Sequence, residues 1–398
     1  MPATGTDERR EAAGRQCIVH VLTKLSRGGA EENTIGTCMG QLERGHDVHL
    51  VFGADVQPDI RASLPAALDA ICLSELVHPV SPVSDAKAIL SLRRTLRRLD
   101  PDVVHTHQSK GGIVGRLAAA FLPDVLVVHT VHIAPFLNVG PVQRAVYLLL
   151  ERVAARFTDR FISVSEGMAD AYRSRGIGAD AIHHVVHSGM ALDKYVSATP
   201  PEDWAGRFDW NGEQRPFIIL MLASFDRRKR HIELVRVLAD MLDRHADTLL
   251  CFAGEGEFEQ ETRALVHELD LGASIRFLGH DPQPEKLLAL ADLCVLCSER
   301  EGLPRVLVQY VAARRRVVVM DLPGIDELMS NYQGATVIRD DDFERLAQAI
   351  EGVRKDEFLP DRVSTAQPAV DLGSWEMSAM VDGIEQVYRE GIDSRGGG

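Results

Sequence analysis

The chain reads as an α/β protein made of two doubly wound parallel sheets, one after the other. Three observations carry this. Short apolar runs, each sized for one buried strand, alternate with stretches whose apolar residues recur at helical spacing. The alternation breaks once, between Lys194 and Pro216, where Pro200, Pro201, Gly206, Gly212 and Pro216 crowd together, and then it restarts. The length, 398 residues, exceeds one ordinary domain and suits two of about 150–200 residues.

Taken in order, the first fifteen residues are polar and charged, so a disordered tail is expected over 1–15, and nothing there resembles a secretory leader. Cys17 to Leu22 predicts the first strand. Thr23 to Gly29 is a polar turn, and a helix is expected from Ala30 to Arg44. Strands are predicted at Val48–Phe52, Asp102–His107, Val125–Val131, Phe161–Val164 and Ile182–His187. Helices fall between them: Ala86–Leu99 with the apolar stripe Ile89, Leu92, Leu96 and Leu99, then Ile113–Phe121, Val142–Phe157 and one from Glu166. These make a first domain over 16–195, with a linker at 196–216. The second domain, 217–372, has strands at Phe217–Leu222, Thr248–Ala253, Ile275–Leu278, Leu293–Cys297 and Val317–Met320. A last helix is expected within 373–392.

Composition narrows the class. The 45% apolar and 26% charged content are those of a soluble globular chain, and no apolar run is long enough to span a bilayer. Residues 1–200 hold 21 acidic and 21 basic side chains, while 201–398 hold 37 and 23, so the second half carries the whole net charge of −14. That balance excludes general nucleic-acid binding, which needs a basic footprint. Six cysteines show no paired framework and most lie in apolar runs, which predicts free thiols, most of them in the core, and a reducing, cytoplasmic setting. Cys294 and Cys297 have a redox or metal spacing but lie inside a strand.

The chemistry centres on Ser298 to Ala312. Glu301 and Gly302 sit where a buried strand hands over to a helix, the place where open α/β sheets bind ligands. Gly302 lets a phosphate approach the backbone, Pro304 suits a first helical turn, and Glu301 offers an acceptor for hydroxyls. A nucleotide sugar combines these groups. Glu301-Gly302-Leu303-Pro304 followed by an apolar helix resembles the Glu-x7-Glu segment of the retaining group 1 (family 4-like) nucleotide-sugar glycosyltransferases. That resemblance implies the GT-B fold, two Rossmann-like domains facing across a cleft. It also implies that Glu301 holds the donor sugar and that the segment Gly302, Leu303 and Pro304 lies at the diphosphate, held through the backbone amides that follow Glu301. The family's second Glu, a ribose ligand, is replaced here by Gln309.

Four more segments match in order. Gly28-Gly29 opens a helix and makes an anion site; a tight strand–helix turn explains it equally. Val127 to His132 resembles the family segment ending in an active-site His, so His132 is expected at the donor sugar. Leu222 to His231 resembles Gly-Arg-x4-Lys, with Lys229 matching the diphosphate Lys and Ser224 standing where the Arg would be. Arg227, Arg228 or Arg230 is the candidate replacement. Gly254-Glu255-Gly256 and Phe277-Leu278-Gly279 correspond to turns beside the nucleotide and its base. The resemblance implies catalysis by His132, Lys229 and Glu301, with no metal or other cofactor. The paired His105 and His107 share a strand face and have the spacing of metal ligands. The family's terminal helix packs on the first domain. A nucleotide-sugar epimerase and an inert nucleotide-sugar-binding scaffold are consistent with the same residues. Arg93, Arg94, Arg97 and Arg98 make the polar side of the Ala86–Leu99 helix, a solvated face or a contact for an anionic membrane.

Overall fold

The computed structural model describes residues 14–78, 81–137, 139–179, 181–212, 214–302, 304–357 and 370–396. They form two compact units. One takes the described residues up to Met190 and again from Gly373; the other is Ala191–Leu372. Most of the tail expected over 1–15, and Leu303 of the site segment, lie outside the described residues.

The first unit is a seven-stranded parallel sheet: β1 (Cys17–Val21), β2 (Asp47–Gly53), β3 (Asp69–Leu73), β4 (Val103–His107), β5 (Leu126–Val131), β6 (Arg160–Ser163) and β7 (Ile182–Val185). The spatial order is β3-β2-β1-β4-β5-β6-β7. Before the last helix of the chain, its longer helices are α1 (Gly29–Glu43), α2 (Pro82–Leu99), α3 (Ser109–Ala119), α4 (Pro141–Ala155) and α5 (Glu166–Arg173). β1, β4 and β5 are buried along their whole length, because both sheet faces are covered. α2 and α3 pack on one face, where Leu92, Leu96, Val114 and Ala118 meet Val19, Val21 and Val104.

The second unit is a six-stranded parallel sheet in the order β10-β9-β8-β11-β12-β13. Its strands are β8 (Phe217–Leu222), β9 (Thr248–Ala253), β10 (Ile275–Phe277), β11 (Leu293–Leu296), β12 (Arg316–Met320) and β13 (Ala335–Ile338). Its longer helices are α6 (His231–Arg244), α7 (Glu259–Glu268), α8 (Pro284–Leu290), α9 (Arg305–Ala312) and α10 (Phe343–Glu357). The segment 196–216 lies in this unit and is tied down. Phe208 is fully buried, and Arg276 Nε donates to its carbonyl at 2.6 Å.

The last helix, α11 (Met377–Gly396), belongs to the first unit. Met380, Val381, Ile384, Val387 and Tyr388 close the face of the first sheet left open by α2 and α3, against Ile18, Val103, Leu126, Val128 and Ile162. In each sheet the strand order reverses between two neighbours, β1 and β4 in the first and β8 and β11 in the second. The carboxyl ends of such a pair are where an open α/β sheet leaves a crevice. Both units are therefore doubly wound parallel α/β folds.

Candidate functional site

In the second unit the crevice falls at the ends of β8 and β11. β8 ends at Leu222, and the chain turns through Phe225 and Asp226 into one 3-10 turn, Arg227–Lys229. Asp226 caps that turn, accepting from Arg228 N at 2.9 Å. Arg230 takes a left-handed conformation (φ 60°) and leads into α6. β11 ends at Leu296, and the loop beyond it is stitched to the β8 turn. Glu299 N donates to Arg228 O at 2.8 Å, and the Cys297 thiol donates to Lys229 O at 3.2 Å. α9 is fixed from the other side by the buried Tyr310, whose hydroxyl accepts from Leu222 N at 2.9 Å.

This stitching brings Lys229 and Glu301, 72 residues apart in sequence, into an ion pair between Lys229 Nζ and Glu301 Oε1. The two side chains are 14% and 12% exposed, mostly withdrawn from water yet reachable from it. Gly302 and Pro304 are buried behind Glu301. Pro304 was expected in the first helical turn. It stands one place earlier, as the residue capping α9, and its carbonyl accepts from Leu307 N at 3.0 Å. Its ring fixes φ there, where no amide donor is needed. Gln309 is half-buried on α9, two helical turns beyond Glu301, and its side-chain amide has no hydrogen-bond partner among the described residues.

The three arginines of the turn differ. Arg228 forks onto Asp226, with nitrogens 2.7–3.2 Å from its oxygens, and also faces Glu301 and Glu299. Arg230 is paired with Asp341. Arg227 is exposed and makes no side-chain bond among the described residues. Ser224 is exposed, so no cation stands at its position.

Gly254 and Gly256 have a steric reason. Gly254 has φ 153°, and a Cβ there would overlap the Ala223 carbonyl; one at Gly256 would press on Phe225 O. The β9 turn thus lies flat against the β8 turn. Gly254 N donates to Gly279 O at 2.8 Å, which joins the third turn, with half-buried Leu278, to the same rim.

In the first unit Gly28 is extended (φ 176°) and Gly29 begins α1. The start of that helix is already served by an acid of the chain's own. Glu31 is buried, accepts from Ser26 Oγ at 3.0 Å and bonds its own backbone amide. Burial is the largest influence on its carboxyl and raises its pKa. A carboxyl folded onto these amides competes with a phosphate for them.

His132 follows β5 and is half-buried, with its Nε2 3.2 Å from His107 Nδ1. Behind it runs a buried chain. His107 Nε2 lies 3.0 Å from His20 Nδ1, and His20 Nε2 2.8 Å from Gln41 Oε1. Gln41 Nε2 reaches the Tyr388 hydroxyl at 3.4 Å, which meets His105 Nδ1 at 2.6 Å; His105 Nε2 meets Thr130 Oγ1 at 2.6 Å. Burial depresses the His20 pKa to about 4, and burial together with neighbouring imidazoles holds His105 and His107 well below the usual range. These rings are neutral, so each has one donor and one acceptor nitrogen. With the Gln41 carbonyl toward His20, the protons run one way: His20 donates to Gln41, His107 to His20, and His132 to His107. The nitrogens of His20, His105 and His107 lie within hydrogen-bonding distance of each other, Gln41, Tyr388, Thr130 and His132, and one ring nitrogen from each of the three also lies within 4.8 Å of the others, the proximity of a metal-ligand set.

The carboxyl-end turns of β8 and β11 therefore combine a cation, a carboxylate and a helix start. Such a set can hold a phosphate beside hydroxyl groups. Gln41 and Tyr388 carry no motif of their own and were not legible before the fold; Glu31 was visible beside Gly28-Gly29 but had no assigned part.

Known proteins match this chain over both units. Residues 27–194 match the family described as Glycosyltransferase Family 4, and residues 203–369 match Glycosyl transferases group 1. A putative glycosyltransferase, EpsD of Bacillus subtilis, is 26% identical over 268 residues, covering 65% of this chain and 69% of that protein. A UDP-Gal:alpha-D-GlcNAc-diphosphoundecaprenol alpha-1,3-galactosyltransferase of Escherichia coli is 24% identical over 330 residues, covering 82% and 84%. Among solved structures, Anabaena Alr3699/HepE in complex with UDP and glucose superposes with a TM-score of 0.75 at 19% identity, covering 94% of this chain and all of that one.

Proposed function

The chain belongs to the group 1 glycosyltransferases, and on that premise we propose that it transfers a hexose-type sugar from a nucleoside diphosphate to an acceptor hydroxyl, with retention at the anomeric carbon and no metal ion. The acceptor class is a glycan, a lipid-linked sugar or a small-molecule natural product. The observation that supports this best is the pairing of Lys229 with Glu301 at the ends of β8 and β11. On this reading a diphosphate takes Lys229, and Glu301, released from the pair, accepts from the sugar hydroxyls. The amide start of α9 faces the phosphate charge, and Gln309 holds the ribose through one acceptor and one donor. Gly254, Gly256 and Leu278 line the nucleotide side. His132 is read as the first unit's residue for the sugar, with its Nε2 directed to His107.

In the step itself the bond from the anomeric carbon to the diphosphate oxygen breaks as the acceptor oxygen bonds on the same face. The acceptor's proton passes to the departing phosphate. The protein then acts mainly by stabilising charge that grows on the diphosphate, which places Lys229 at the centre of catalysis.

Release of free nucleotide tests this. UDP-galactose and UDP-glucose head the donor panel, since one relative is named for UDP-Gal and one fold neighbour was solved with UDP and glucose. Polyprenyl-diphosphate-linked N-acetylglucosamine is the first acceptor probe. Acceptor-dependent release is expected, and donor turnover without acceptor would favour an epimerase. Lys229→Ala should lower turnover roughly 10²–10³-fold, as loss of one preorganised contact to developing charge does. Glu301→Gln should lower turnover too, yet leave UDP affinity equal or tighter, because it frees Lys229 and removes a negative charge. A Lys229→Ala enzyme within a few-fold of wild type would overturn the assignment, as would a panel on which no donor raises the melting temperature.

A further inference from the structure

α4 is amphipathic in the inverted sense. Its buried side carries Glu151, which is paired with the fully buried Arg116 at 2.8 Å, along with Ala154 and Ala155. Its outer side shows Val142 (77% exposed), Val146 (49%), Leu149 (62%), Leu150 (37%) and Val153 (38%). The spacing i, i+4, i+7, i+8 and i+11 places all five on one helix face. A soluble helix normally buries such a stripe.

The stripe continues beyond α4. Phe121, at the end of α3, is 84% exposed and held at φ 63°, a conformation that bulky residues rarely adopt. Its ring meets Phe157, just past α4, edge-on at 5.4 Å. α3 packs between α4 and α2, and Arg93 Nη1 of α2 donates to Ala120 O at 2.8 Å, beside Phe121. α2 presents Lys87, Leu90, Arg94, Arg97 and Arg98 outward, and α4 adds Arg144, Arg152 and, one residue on, Arg156. Residues 82–157 hold ten basic and five acidic side chains, in a chain whose net charge is −14. Of the five, Glu151 is buried against Arg116 and Asp85 is paired with Lys110.

We propose that the outer face of α4, with Phe121 and the basic side of α2, docks the protein on an anionic lipid bilayer. Exposed apolar residues beside arginines, with few acids between them, fit the boundary between acyl chains and acidic headgroups. α4 is about 22 Å long at 1.5 Å per residue, too short to span a bilayer, so it lies along the surface. No helix among the described residues is long and apolar enough to cross one. A second copy of the chain fits less well, because two-fold pairing of this face would set arginines against arginines. The basic α2 helix that the sequence singled out thus supplies the charge, and α4 supplies the apolar contact.

Flotation with vesicles tests this without any donor or acceptor, so its outcome is separate from that of the glycosyltransferase reading. The full chain should float with phosphatidylcholine–phosphatidylglycerol vesicles, not with phosphatidylcholine alone, and salt should weaken the binding. Val146→Ser/Leu149→Ser should reduce partitioning about tenfold or more, and Arg94→Glu/Arg97→Glu should abolish the preference for the anionic lipid. All four positions are on the surface, so melting temperatures should stay near wild type. Leu269→Ser, an exposed leucine of the second unit, is the control that should change nothing. Failure to float with the anionic vesicles overturns the proposal, and so does binding that survives both double variants. A dimer seen by sedimentation and dissolved by Val146→Ser/Leu149→Ser would make the face a self-association surface instead.

Discussion

His107 has both ring nitrogens engaged, one toward His132 and one toward His20, so its tautomer follows from whatever sets His20. That is Gln41, the one group in the chain whose donor and acceptor cannot be exchanged by moving a single proton. Gln41→Leu removes this direction and leaves His20 and Tyr388 short of partners. Its expected cost is about 1–3 kcal/mol of stability, the penalty of unsatisfied buried polar groups. The more specific outcome is spectroscopic. Imidazole 15N shifts should place the proton of His107 and of His132 on Nε2 in the wild type, and show mixed tautomers in Gln41→Leu. A wild-type His107 protonated on Nδ1 would contradict the assigned direction. None of this could be read from the sequence, because Gln41 and Tyr388 are 347 positions apart and meet only when α11 returns to the first unit. His132, Lys229 and Glu301 were visible because each stands at a strand–helix junction, a local pattern. The Lys229–Glu301 contact itself needed the topology that sets β8 beside β11.

At the scale of elements, the β9 turn shows how closely two turns are set together. Gly254→Ala puts a Cβ into the Ala223 carbonyl at a backbone angle that L-residues avoid, with backbone on the opposing side that cannot yield as a flexible side chain would. A loss of about 3–5 kcal/mol is expected, as for severe core disruption, against under about 0.5 kcal/mol for Gly272→Ala, whose Cβ would meet open space. Chemical denaturation of both variants checks this, and equal losses would mean that the turns relax apart. The same physics decides which elements the sequence revealed. The inner strands β1, β5, β8, β9, β11 and β12 are covered on both faces and read as mostly apolar runs, and β4 is as fully buried although it carries His105, Thr106 and His107. β3 and β13 are edge strands with exposed or half-buried residues, and their short mixed segments Asp69–Leu73 and Ala335–Ile338 gave no such run. α10 went unread because its low mean hydropathy hides a stripe of few buried residues, Leu346, Ile350 and Val353. Strand existence was thus legible wherever burial was two-sided, while of the four edge strands β7 and β10 were predicted and β3 and β13 were not.

For the whole molecule, the two units differ most in buried imidazoles. The first holds His20, His105, His107 and His129, all kept neutral chiefly by burial; the second holds His231, stacked on Phe225 at 4.1 Å, with its pKa pushed down to about 3. Above pH 6.5 these histidines are neutral both folded and unfolded, and they make no pH-dependent contribution. Below 6.5 the unfolded chain binds protons that the folded chain refuses, so stability falls as pH falls. The loss is about 1.4 kcal/mol per pH unit for each such group until its folded pKa is reached, near 4 for His20. Between pH 6.5 and 5 most carboxyls are still ionised in both states, so histidines dominate the slope. Glu31 and Asp292, whose pKa values burial raises, push the other way and chiefly nearer the carboxylate range. Scanning calorimetry over this window should therefore show the transition of the first unit falling several times more steeply than that of the second. Gly254→Ala assigns the two, since it lowers only the second. The expectation fails if the two transitions shift equally with acid, or if the steeper one is the transition that Gly254→Ala lowers.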